Sequence, residues 1–258
     1  MRTSLIVCLG VSVCPVLLAL GCRSEMAESG KDSAPAKKVF ECRWAVGKIK
    51  IDGKIDEVAW DKAQVIDGFQ VFWQSRKPRT ATKARLIWDD SYLYFAADME
   101  DTDLYADITE RNGMTWYNDV FELFFKPSAE KLPYYEFQVN AANTPLEIYF
   151  PSRGSGGYRR FAPLTRLGME SEVKLRGTLN DFRDKDDGWT VEGRIPWTGF
   201  KETGGKPSAG DLWLFSLCRY DYSTAFEHPE LSSTSPVLGG DFHRYEDYNS
   251  LKFIGPEK

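Results

Sequence analysis

The sequence predicts an all-β fold, an antiparallel β-sandwich of jelly-roll or immunoglobulin-like kind with one short helix. Two observations carry this. Short runs rich in Val, Ile, Tyr, Phe and Trp recur about ten times, bounded by turn residues. Aromatic residues form 14% and hydrophobic residues 42% of the 258-residue chain, which favours strands over helices and can fill one large core.

Residues 46–51 end at the Asp52-Gly53 turn and read as the first strand. Residues 55–63 put Ile55, Val58 and Ala59 on one helical face and read as the short helix. Runs 82–88 and 92–98 flank Asp89, Asp90 and Ser91, a hairpin turn. Runs 120–125, 134–140 and 146–150 read as three consecutive strands. Runs 172–179 and 189–195 flank a charged loop, 181–188, while 212–220 is a long strand and 251–254 a short last one. Between these, 223–249 has little periodicity and much Pro, Gly, Ser and Thr. Irregular segments of that length are functional or disordered, and the aromatic, charged end 242–248 argues for order.

The N-terminus reads as separate from the fold. Arg2 precedes an apolar run, 5–20, that ends at Gly21-Cys22, the pattern of a bacterial lipoprotein signal (1–21) with Cys22 as the acylated residue. An ordinary secretion signal or an uncleaved anchor are the alternatives. All three put the folded part outside the cytoplasm, and the lipoprotein signal makes it a membrane-anchored protein of the cell envelope. Residues 22–38, rich in Ser, Ala, Glu, Lys and Gly, read as a flexible tether, and 39–258 as one domain. Cys42 and Cys218 remain in that domain, either as a disulfide or as two buried thiols. The net charge of −5, with no basic patch, argues against nucleic acid. With only His228 and His243, a histidine metal site or a Ser-His-Asp triad has little material.

Side chains alternate along strands, so Glu122 shares a face with Val120 and Phe124. A carboxylate among apolar neighbours needs a partner, either a ligand hydroxyl or an internal arginine such as Arg219. In 134–140, Tyr135, Phe137 and Val139 form one face and Glu136, Gln138 and Asn140 the other. That polar row is either a solvated face or one able to hold sugar hydroxyls. Asp98, Glu100, Asp101 and Asp103 form an acidic cluster without the spacing of an EF-hand. It is either a solvated loop or a calcium site, with Asp101 and Asp103 as candidate ligands. The glycine-rich run 153–157 lacks the Lys-Ser/Thr of a phosphate cradle.

These runs, taken in order over 46–258, resemble family 9 carbohydrate-binding modules and the wider family 9-like group. The resemblance is carried by 51–60 from Ile51-Asp52-Gly53 to Trp60, the hairpin 84–95, Trp116 with Asn118, Asp119 and Glu122, and Phe137 to Asn140. It continues through 189–197, 213–219, Phe242-His243 and 251–253. It implies a β-sandwich that binds sugars, often at chain ends, between two tryptophans. Trp116 matches the first clamp residue and Glu122 a hydroxyl-binding acid. Phe242 stands where the second tryptophan would be, and Gln138 where sugar-binding members carry arginine. Members also bind calcium.

The expectation is a non-catalytic carbohydrate-binding module acting beside a separate glycoside hydrolase in carbohydrate breakdown. Trp116 and Phe242 would sandwich a sugar ring above Glu122, Gln138 and Asn140, with Asp119 and His243 as further candidate contacts. Two other readings stand beside it. One is a glycoside hydrolase with two carboxylates, although no motif singles out a pair among 38 acidic residues. The other is a haem-binding redox domain of the same fold, with Met99 and Met114 as candidate ligands.

Overall fold

The computed structural model describes residues 37–256. The candidate signal, Cys22 and the tether up to residue 36 lie outside them. Among the described residues eleven strands form in chain order: β1 (Val39–Trp44), β2 (Thr82–Trp88), β3 (Tyr92–Met99), β4 (Val120–Lys126), β5 (Tyr134–Asn140), β6 (Pro145–Phe150), β7 (Glu170–Arg176), β8 (Gly188–Pro196), β9 (Leu212–Asp221), β10 (Glu230–Ser233) and β11 (Asn249–Phe253). Two short helices, α1 (Val58–Asp61) and α2 (Gly157–Phe161), lie between strands. The chain is mostly β, as its aromatic and β-branched runs predict.

The strands pair in the order β6-β5-β4-β9-β11-β1-β2-β3-β8-β7, with β10 also on β9. The pairs are antiparallel except those of β1. This strand changes partner midway: Val39–Cys42 run parallel to Ser250–Phe253 of β11, and Arg43 and Trp44 parallel to Ile87 and Trp88 of β2. The main core draws from both halves of this path, including Phe121, Leu123 and Phe125 of β4, Tyr135 and Phe137 of β5, Phe95 of β3 and Trp189 of β8. Each such ring contributes about 1.5–3 kcal/mol by leaving water. Gly193 of β8 lies opposite Phe95, and a Cβ there would stand 2.2 Å from Cζ of that ring.

The strand expected at 46–51 is irregular chain, and the first strand lies just before it. Ile49, Ile51 and Ile55 instead pack around Trp60 on the other face of β2 and β3. The backbone there is held by a side chain rather than a ladder. Glu192 accepts the N–H groups of Asp52 (3.0 Å) and Gly53 (3.2 Å) and the indole N–H of Trp60 (3.0 Å). The expected helix 55–63 contracts to one turn, whose buried side are Ala59 and Trp60.

Cys42 and Cys218 do not pair. Both are free and buried, Cys42 in the main core and Cys218 in a separate cluster on the far face of β9. Burial pushes both thiols well above their ordinary pKa. Met99 and Met114 are not brought together either: Met99 is core, opposite Trp189, while Met114 is exposed before the 3₁₀ turn Thr115–Tyr117. The segment 223–249 is ordered. It adds β10 to β9 and buries Val237, Phe242 and Tyr248 against the outer face of the β4–β9 region.

Candidate functional site

The outer face of β6-β5-β4-β9 is the floor of a cavity of about 570 Å³, within the range of small-molecule pockets. Alternation aims Glu122 and Phe124 of β4, Tyr134, Glu136 and Gln138 of β5, Ile148 and Phe150 of β6, and Tyr220 of β9 into it. Register sets Glu122 beside Gln138 and Phe124 beside Glu136. Three segments wall it: the turn carrying Trp116, the run from Arg153 into α2 with Tyr158, and Gly240 to His243.

Each wall is fixed by side-chain bonds. Trp116 meets Tyr158 edge-on at 4.8 Å, and the Tyr158 hydroxyl donates to the Asn112 carbonyl (2.7 Å). Below Trp116, Asn118 accepts the Ile108 N–H (3.0 Å) and the Asn140 amide (2.9 Å), and donates to Asp107 (2.8 Å). On the far wall Arg153 pairs with Glu246 through two bonds of 2.6 Å and lies 4.6 Å over the Tyr245 ring. The Tyr134 hydroxyl and His243 Nδ1 share a hydrogen bond of 3.0 Å.

The floor holds two buried carboxyl groups. Thr115 donates to Gln138 Oε1 and Gln138 donates to Glu136 Oε1, both at 2.5 Å. Burial raises the Glu136 carboxyl, opposed by His243 and the Gln138 bond. Glu122, 2% exposed, has no hydrogen bond or ion pair among the described residues, and burial with Glu136 nearby pushes it well above the carboxylate range. Arg219 is not its partner. It lies on the opposite face of β9, beside Phe121, and Cys218 sits next to Glu122. The cavity therefore presents a carboxyl without a protein hydrogen bond, a tied amide and aromatic edges, a set that can take hydroxyl donors on one side and an apolar ring face on the other.

Of the residues expected from sequence, Trp116, Glu122, Gln138, Phe242 and His243 line this cavity. Phe242 does so as a wall element. It is 4% exposed and packs on Trp73, Phe124 and Tyr220, and no direct ring contact joins it to Trp116. Asn140 and Asp119 are outside it. The Asn140 amide donates to the Ile108 carbonyl (2.8 Å), and its oxygen accepts the N–H groups of Ala142 and Thr144. Asp119 accepts the N–H groups of Tyr105 and Tyr222 (2.6 Å each). Both brace the loops around Trp116. Glu136, Tyr134, Tyr158, Arg153 and Tyr220 were missed as site residues. Glu136 was within reach, since it shares the polar row of Gln138.

The acidic residues divide. Asp101, Asp119 and Asp221 bring buried carboxylate oxygens within 4.8 Å of one another, the donor type calcium takes. Arg219 is already there, ion-paired with Asp101 (3.0 Å) and Asp221 (3.5 Å), and both Asp119 oxygens are committed to backbone N–H groups. The cluster carries its own cation, and these residues do not fit a calcium ion. Asp103 is not part of it and accepts the Thr224 N–H and hydroxyl.

Residues 51–228 match the family model described as carbohydrate family 9 binding domain-like. Among curated proteins, endo-1,4-beta-xylanase A of Thermotoga maritima is 32% identical over 158 residues, covering 59% of this chain. Endo-1,4-beta-xylanase A of Thermotoga neapolitana is 33% identical over 209 residues, covering 79%. The chain spans only 12% and 17% of the length of these two relatives. Among solved structures, a putative carbohydrate-binding protein from Bacteroides uniformis superposes with a TM-score of 0.67 at 17% identity, over 84% of this chain and 100% of its own. A family 9 carbohydrate-binding module from Caldicellulosiruptor kristjanssonii in complex with cellotriose gives 0.57 at 18% identity, over 86% and 96%. At these identities the structural likeness shows a shared fold.

Proposed function

The chain belongs to the carbohydrate family 9 binding domain-like family, and on that premise we propose that its cavity binds a saccharide without cleaving it. The carrying observation is Glu122, buried, without a protein partner and aimed into a cavity edged by Trp116. A sugar hydroxyl would satisfy that carboxyl, Gln138 and His243 would add polar contacts, and Trp116 would cover a ring face. Cellotriose and glucose, the ligands named for family 9 modules of the same fold, are the natural first probes. In this reading the two halves of the strand path are the layers of a sandwich. The N-terminal segment exports the domain and anchors it through acylated Cys22, and a separate glycoside hydrolase works on the captured glycan.

Titration calorimetry of the purified protein against cello- and xylo-oligosaccharides tests this. Trp116→Ala should weaken binding about tenfold, the loss of about 1–2 kcal/mol of stacking and apolar contact. Absence of binding to every glycan, or full binding by Trp116→Ala, would overturn it. Reducing-sugar release that disappears in both Glu122→Gln and Glu136→Gln would instead make the floor a catalytic pair.

A further inference from the structure

A second cavity, of about 390 Å³, is lined by Asp103, Tyr105, Asn180, Phe182, Tyr222 and Thr224 among others. Phe182 is the only apolar side chain in the charged run 181–187, and it is 66% exposed. So open a ring contributes little to the core, yet its loop is held firmly. Asn180, at φ 63°, closes two side-chain hydrogen bonds with the backbone of Ala106 (2.9 Å each). Asp186 accepts the N–H groups of Leu104 and Thr178 (2.7 Å each). Facing the cavity, the rings of Tyr105 and Tyr222 lie 6.1 Å apart, tilted by 55°.

This cavity is tied to the first. The Tyr222 hydroxyl donates to the Trp116 carbonyl at 2.9 Å. Tyr117, 56% exposed, lies 5.8 Å from the Trp116 ring. Two aromatic pairs, Trp116 with Tyr117 and Tyr105 with Tyr222, are thus joined through the bond from the Tyr222 hydroxyl to the Trp116 backbone, and Phe182 shares the second cavity with the latter pair. In that cavity Asp103 and Thr224, bonded to each other at 2.9 Å, bring a carboxylate and a hydroxyl to the rim.

We infer that this second cavity is a second saccharide subsite, which takes a further unit of the glycan chain held in the first cavity. The inference rests on the saccharide reading of that first cavity. The exposed Phe182 ring and the half-buried Tyr105 and Tyr222 suit the C–H faces of sugar rings, and the carboxylate of Asp103 and the hydroxyl of Thr224 suit their hydroxyls. The ligand is then an oligosaccharide or polysaccharide strand rather than a free sugar.

The test is calorimetric titration of glucose and cellohexaose, with xylose and xylohexaose alongside, into the full-length protein and its Phe182→Ala and Trp116→Ala variants. Phe182 is largely exposed, so its removal should leave the fold intact. Phe182→Ala should keep monosaccharide affinity within about twofold and weaken hexasaccharide binding about fivefold or more, erasing the preference for length. Trp116→Ala should weaken both lengths. A wild type that binds both lengths equally, or a Phe182→Ala variant that keeps the preference, overturns the second subsite alone. A wild type that binds neither length overturns both readings.

Discussion

Glu122 shows what a single buried group costs and permits. Its folded pKa is raised by burial and by Glu136, so the folded state holds a proton that the unfolded chain releases near pH 4.5. The stability from this group is complete below that pH and is lost as pH rises toward the folded value. Glu122→Gln removes the penalty, and should raise stability by roughly 1 kcal/mol or more at pH 8, a few degrees in Tm, while weakening sugar binding. A thermal melt paired with a glycan titration checks both halves, and a variant less stable at pH 8 than the wild type would contradict the first. Glu122 and Gln138 were legible because a strand's alternation is local and a face can be counted along the chain, whereas His243, which lies on no strand, was reached only through the family resemblance. The burial of Phe242 was not, since it depends on Trp73, far away in sequence. Phe242 is better understood as a wall than as an open plate.

At the level of elements, β8 sits between β3 and β7 and depends on one missing side chain. At Gly193 the Phe95 ring fills the space a Cβ would need. Gly193→Ala should therefore lower stability by about 1–3 kcal/mol through overpacking, read as a shift in denaturant midpoint at constant m-value. An unchanged midpoint would mean that Phe95 moves aside freely. Most strands could be read from the sequence because their alternation agrees with their pairing, as in 82–88 and 134–140. The segment 46–51 misled because its isoleucines carry a strand-like pattern while its neighbours' N–H groups go to Glu192, a partner supplied from a distant strand. The strand β10 was hidden for the opposite reason, since Glu230–Ser233 is polar and pairs only because β9 extends past β11.

Over the whole molecule, the aspartate cluster around Arg219 sets a dependence on pH. Burial pushes Asp101 up to about 7, against the pull of Arg219 and with a push from Asp221. The unfolded chain loses that proton near pH 4, so this contribution is present at low pH and is lost between about pH 4 and 7. Stability should fall over that interval by up to about 1.4 kcal/mol per pH unit for the proton retained, and level off above it. Melts from pH 4.5 to 8.5 measure the slope, which Asp101→Asn should flatten; a wild-type profile rising toward neutrality would contradict the assignment. The strand path itself could not be read from the sequence, because β1 pairs with strands near both ends of the chain order. That pairing has a mechanical consequence. The strands β1 and β11 run side by side in the same direction, so pulling the chain from its two ends drags them oppositely along a common axis. Their shared hydrogen bonds are then loaded together in shear rather than opened one at a time, and Arg43 and Trp44 pass part of the load to β2. A domain built this way resists tension between its two ends.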